Sequence, residues 1–216
     1  MGKEFEIKTL RVEVADYIKS IILGGNMEPG DKINEAELAK ELKISRGPIR
    51  EALRQLEQEG LVTYVPNKGC SVANLKVEDM YEMYLLRTEL ENIAVEVCEG
   101  RYDETSLARM EEAIRDMEAA ALEESLNGVV TADQKFHEEI LKAAKLPRLE
   151  KMWHSLDGAN VSSFFTLRSL KMINWKTLGR NHHLLLDAAR NMDKEQMKKE
   201  IRIHYLSVPD YIREYS

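Results

Sequence analysis

Four ionisable residues in the C-terminal two-thirds of the chain interrupt apolar helical rows, a placement that costs free energy unless something compensates. One row reads Val129, Val130, Asp133, Phe136, His137, Ile140, Leu141, Ala144; Asp133 and His137 are i, i+4, so their side chains converge. His182 lies in the row Leu178, His182, Leu185, Leu186, Ala189, and His204 in the row Met197, Ile201, His204, Tyr205, Val208. One carboxylate and three imidazoles facing a bundle core make an N3O donor set for a divalent transition ion. Zinc stands first and nickel or manganese behind it, because calcium and magnesium prefer oxygen. Each histidine taken singly has a plainer reading, a core imidazole satisfied by a backbone carbonyl. His183 lies on the flank of the His182 row, and His154 has no partner at useful spacing.

Arg87 is a fifth charge in an apolar row: Met80, Met83, Tyr84, Arg87, Leu90, Ala94, Val97. A permanently charged guanidinium facing a core requires an anion. Either Glu91, at i+4, or another bundle carboxylate supplies it, or Arg87 clamps the carboxylate of a small ligand beside the metal.

The N-terminal third carries a different pattern in Ser45-Arg46-Gly47-Pro48-Ile49-Arg50-Glu51-Ala52-Leu53-Arg54. Ile49, Ala52, Leu53 and Leu56 form one apolar face at i, i+3, i+4, i+7. Arg46, Arg50 and Arg54 project from the other side at i, i+4, i+8. A helix entering a DNA groove needs an apolar back for its scaffold and a cationic front for phosphates or guanine edges. Ser45 and the free N–H groups of the first turn add phosphate donors, and Gly47 keeps that end slim. The plainer reading is a solvated face, helped by Glu51 and Glu57.

These residues need elements to hold them. Val14, Tyr17, Ile18, Ile21 and Ile22 predict a helix over 10–23 that Gly24-Gly25 stops. A short helix capped by Asn34 and a second one from Ser45 to Glu59 follow, with Pro48 tolerated in the first turn. Leu61-Val62-Thr63-Tyr64 and Cys70-Ser71-Val72 flank the Pro66–Gly69 turn as a hairpin. That order is a winged helix-turn-helix. From Val77 onward only helices are predicted, at about 77–99, 104–124, 128–144, 147–170, 174–192 and 194–215. The fold class is therefore mainly α: a winged helix-turn-helix domain (1–75) followed by an all-α bundle (76–216), with 73–76 as linker.

Composition agrees. No run approaches the ~18 apolar residues of a membrane span, and MGKEFEIKTL lacks the apolar region of a signal peptide. Cys70 and Cys98 lie far apart, without the spacing of a thiolate zinc finger, which fits a reducing cytoplasm. Of the net charge of −7, residues 1–75 (11 basic, 12 acidic) carry −1 and residues 76–216 (20 basic, 26 acidic) carry −6. A near-neutral N-terminal piece with clustered arginines remains able to bind a polyanion.

The stretch GDKINEAELAKELKISRGPIREALRQLEQEGLVTYVPNKGCSV resembles the DNA-binding domain of GntR-type bacterial transcription regulators, over roughly residues 10–75. The resemblance implies DNA contact by Ser45, Arg46, Gly47 and Arg50, with Lys68 and Gly69 at the wing tip near the minor groove. Ala36 stands where some relatives carry a base-reading arginine, so their operators do not transfer. Asp133-Gln134-Lys135-Phe136-His137, then Asn181-His182, then His204 resembles the FCD ligand-binding domain of the FadR-type branch, over roughly 77–212. That resemblance implies a metal held by Asp133, His137, His182 and His204, and small carboxylates bound above it, with Arg87 at the family's first-helix arginine. Asn181 and Leu146-Pro147 depart from the family's usual residues, which bears on pocket polarity.

The combined expectation is a homodimeric repressor on a palindromic double-stranded operator, controlled by a small carboxylate at the metal, with no membrane association. Two alternatives stay open at this point: a small metal-dependent hydrolase, and a regulator whose metal only braces the bundle.

Overall fold

The computed structural model describes residues 6–65, 69–169 and 171–215. They form two compact units: the residues through Leu75 together with the segment from Asp157, and the remainder of the chain.

In the first unit α1 (Glu6–Leu23) ends at Gly24-Gly25, where Gly25 takes φ 76° and the Gly24 and Asn26 amides close on the Ser20 and Ile21 carbonyls. Then follow β1 (Lys32–Ile33), α2 (Glu35–Glu41), α3 (Arg46–Gln58), β2 (Val62–Val65) and β3 (Gly69–Val72). The strands form an antiparallel sheet in the order β1-β3-β2, with Thr63 opposite Ser71 and Tyr64 opposite Cys70. β1 is not predicted from sequence. Two residues are too few for a period-2 signal, and only the pairing of Ile33 with Cys70 makes them a strand. Asn34 caps α2, its side-chain oxygen accepting the Ala36 and Glu37 amides. Ile49, Ala52, Leu53 and Leu56 are fully buried, so α3 turns its apolar face inward as its periodicity requires.

The predicted helix over 147–170 is two helices, α7 (Pro147–His154) and α8 (Asp157–Ser169). α8 belongs to the first unit, although its sequence position groups it with the bundle. Small residues make this possible: a Cβ built on Gly158 would lie 2.2 Å from the Glu59 carbonyl oxygen, and Ser162 donates to the Gly60 carbonyl at 3.2 Å. Gly158→Ala should therefore destabilise the first unit by about 1–3 kcal/mol through overpacking against backbone. Urea unfolding that shows no change in midpoint would contradict this packing.

The second unit comprises α4 (Val77–Cys98), α5 (Glu104–Leu122), α6 (Leu126–Ala143), α7, α9 (Leu178–Arg190) and α10 (Lys194–Tyr215). α6 starts earlier than predicted, because Ser125 caps it by accepting the Gly128 amide and Asn127-Gly128 fall in its first turn. α9 starts later, at Leu178, since Asn174 folds the preceding residues into a turn by accepting the Lys176 amide. Met80, Met110, Ile114, Phe136, Ile140, Trp153, Leu185 and Ile201 build the core around the polar residues described next. Among the described residues no helix is long and apolar enough to cross a membrane.

Candidate metal centre and nucleic-acid interface

The i, i+4 spacing on α6 presents Asp133 and His137 to the core, where they are 3% and 0% exposed; α9 adds His182 and α10 adds His204. One ligand atom from each of the four lies within 4.8 Å of all the others. His182 Nε2 stands 3.2 Å from Asp133 Oδ1, His137 Nε2 3.7 Å from the same oxygen, and His137 Nε2 3.1 Å from His204 Nε2.

The donor chemistry fits a cation. His182 Nδ1 gives its proton to the Leu178 carbonyl at 3.0 Å, so a neutral ring turns a bare Nε2 toward an Asp133 oxygen. Two lone pairs at that distance need a proton or a metal ion between them. His204 Nδ1 is buried and makes no hydrogen bond, which leaves that ring's polar interactions to the cluster. A divalent ion satisfies all four residues together, so the cluster could hold a metal.

The electrostatics favour the ligating forms of His204 and Asp133. Burial, then the charges of His182 and His137, push His204 well below the ordinary histidine range, which keeps its ring neutral and its lone pair available. Burial raises the Asp133 carboxyl, but the His182 hydrogen bond and the surrounding imidazoles outweigh it and hold Asp133 well below the usual carboxylate range. Burial also lowers His137, and the charge and hydrogen bond of Glu91 then lift it above its ordinary value.

Glu91, which the sequence offers only as a neighbour of Arg87, has a larger set of partners: its carboxylate meets His137 Nδ1 at 2.8 Å, Trp153 Nε1 at 2.9 Å and the Tyr205 hydroxyl at 2.6 Å. Arg87 is buried, with its guanidinium carbon 3.9 Å from the centroid of the Trp153 ring, and its charge acts on both His137 and His204. His183 is exposed and pairs with Glu118 at 3.0 Å, and half-exposed His154 lies 3.9 Å from Glu138; neither enters the cluster.

On the first unit, Ser45, Arg46, Gly47 and Arg50 are all exposed at the start of α3. Ser45 has the extended backbone of an N-cap, but its hydroxyl caps nothing. Pro48 explains part of this, since it has no amide proton to offer at the third helical position. The hydroxyl is thus left facing solvent beside the open amides of the first turn. Arg50 Nε donates to Glu35 Oε2 at 2.8 Å, and Tyr64 donates to the other Glu35 oxygen, so one edge of the guanidinium is fixed from α2 and β2. The arginine and tyrosine hydrogen bonds lower the Glu35 carboxyl, keeping it ionised for this task. Arg54 pairs instead with Glu51 at 3.3 Å. Gly69 opens β3 at φ 89° with no atom within 4 Å of where a Cβ would stand, and Lys68 lies outside the described residues.

Residues 10–72 match the family described as "Bacterial regulatory proteins, gntR family", and residues 82–207 match the FCD domain. The HTH-type transcriptional regulator YdhC of Bacillus subtilis (strain 168) is 30% identical over 197 residues, covering 88% of this chain and 85% of its own. The gluconate operon transcriptional repressor of the same organism is 25% identical over 209 residues, 94% of this chain and 85% of its own. A solved GntR transcriptional regulator from Rhodococcus sp. RHA1 superposes with a TM-score of 0.80 at 23% identity, covering 95% of this chain and 98% of that one, a likeness of fold.

Proposed function

The chain belongs to the GntR family of bacterial regulatory proteins, with an FCD domain after its winged helix, and on that footing we propose that it is a repressor whose hold on a palindromic operator is set by a small carboxylate bound beside a divalent metal ion. The family and the relatives are transcription regulators, so the hydrolase alternative is not carried further. The observation that carries the finer reading is the convergence of the Asp133, His137, His182 and His204 ligand atoms within 4.8 Å. Three imidazoles and a carboxylate select zinc ahead of nickel or manganese. When bound, the ion supplies an anion-accepting coordination position.

The chemistry of Arg87 supports an acid as effector. Its buried guanidinium acts electrostatically on His137 and His204 of the cluster, and a guanidinium recognises a carboxylate through paired N–H donors. Operator titrations with a panel of small carboxylic acids test this, run on zinc-loaded and on chelator-stripped protein. One class of acid should weaken operator binding at least tenfold in the loaded protein only. If chelation lowers the melting temperature but no acid alters operator affinity, the metal is a brace and the sensing role falls.

A palindromic operator needs two heads, and the bundle carries a surface suited to pairing two copies. Leu86, Ile93 and Val97 share one side of α4 and are 46%, 47% and 51% exposed, flanking the face that buries Met80, Met83 and Ala94. Ile93→Glu should convert a homodimer to a monomer and reduce operator affinity at least tenfold by loss of the second head. Sedimentation of the variant as a dimer would remove this face from the interface.

A further inference from the structure

Glu91 sits on α4 with none of its surface exposed, and its carboxylate accepts donors from three other helices. His137 comes from α6 to Oε2, while Trp153 of α7 and Tyr205 of α10 both reach Oε1. A buried carboxylate is tolerated only with such compensation, and here each donor is a side chain that the core would otherwise leave unsatisfied.

The chemistry of these bonds has a direction. A carboxylate only accepts, so the imidazole nitrogen facing it carries the proton. Nδ1 of His137 is that nitrogen, and a neutral ring then has its lone pair on Nε2. Nε2 is the atom that faces His204 and Asp133. Of the three histidines, His137 alone is oriented by a carboxylate; His182 uses a backbone carbonyl, and His204 Nδ1 has no hydrogen bond. We propose that Glu91 is the positioning residue of the metal centre, selecting the His137 tautomer that leaves Nε2 free to ligate and holding the ring against α7 and α10. The proposal rests on reading Asp133, His137, His182 and His204 as metal ligands. It also gives the indole beneath Arg87 a second duty: the bond to Glu91 fixes the Trp153 ring on which the guanidinium lies.

Glu91→Gln tests it with almost no change of shape. With its carbonyl toward Trp153 and Tyr205, the new amide places N–H groups against His137 Nδ1 and drives the ring proton to Nε2. Zinc affinity, read by competition with a chromogenic chelator, should fall about 10–100-fold, the usual cost of losing such an outer partner. Zinc-loaded wild-type protein labelled with 15N-histidine should show a low-field, slowly exchanging Nδ1–H from His137, and E91Q should not. Wild-type zinc affinity in E91Q overturns the positioning role while leaving the metal centre standing. A wild-type protein that takes up no zinc overturns the metal reading and this proposal with it. Should E91Q fail to fold, the wild-type spectrum decides alone: a His137 bound to zinc through Nδ1, with its proton on Nε2, refutes the assignment.

Discussion

His204→Ala is expected to bind zinc on the order of 100-fold more weakly than the wild-type chain and to melt about 5–10 °C lower under saturating metal. The argument runs from site to stability. Asp133, His137, His182 and His204 draw ligands from α6, α9 and α10, so an ion bound there is bound by the folded bundle and not by the unfolded chain. At 100 times its dissociation constant such a ligand contributes about 2.7 kcal/mol. For a chain of this size each kcal/mol moves the midpoint by roughly 2–4 °C. The variant deletes one ligand from the final helix and leaves the winged-helix unit unaltered. Elemental analysis of protein prepared without chelators, with melting curves before and after chelation, provides the check. A wild-type chain that carries no stoichiometric metal, takes none up, and melts like the variant would refute the site.

On the DNA side, Arg46→Ala and Arg50→Ala should each cost about 1–3 kcal/mol of operator binding, roughly 5–150-fold in affinity. Both side chains are exposed on the first turns of α3, opposite the fully buried Ile49, Ala52, Leu53 and Leu56, so removing either leaves the core intact. Arg50 reaches solvent with one edge already held by Glu35, which lowers the entropy lost when the other edge binds. Arg54 lies a turn further along and is paired with Glu51, and its alanine variant should change affinity by less than about threefold, since the N-terminal residues of such a helix make the base contacts. Titration of a labelled operator at fixed salt distinguishes these variants. Near-wild-type affinity in both Arg46 and Arg50 variants would displace the reading face from α3.

Helical periodicity alone indicated the buried face of α3, the inward turn of the four residues that cluster in the bundle, and the anomaly at Arg87, because each depends only on which residues share one side of one element. The winged-helix order was legible for the same reason, since turns and caps are local: Asn34 caps α2, and Gly24-Gly25 ends α1, as their residue types require. Tertiary structure decided the rest. The sequence offers Glu91 only as a neighbour of Arg87 four residues away, yet its carboxylate is taken by His137, Trp153 and Tyr205, which lie 46, 62 and 114 positions along the chain. β1 exists only because β3 pairs with it, and α8 leaves the bundle for the winged-helix unit only because Gly158 can meet the Glu59 backbone. Periodicity reports which way a side chain faces within its own element, whereas the partner it meets there is set by the packing of elements distant in sequence, and no local pattern encodes that packing.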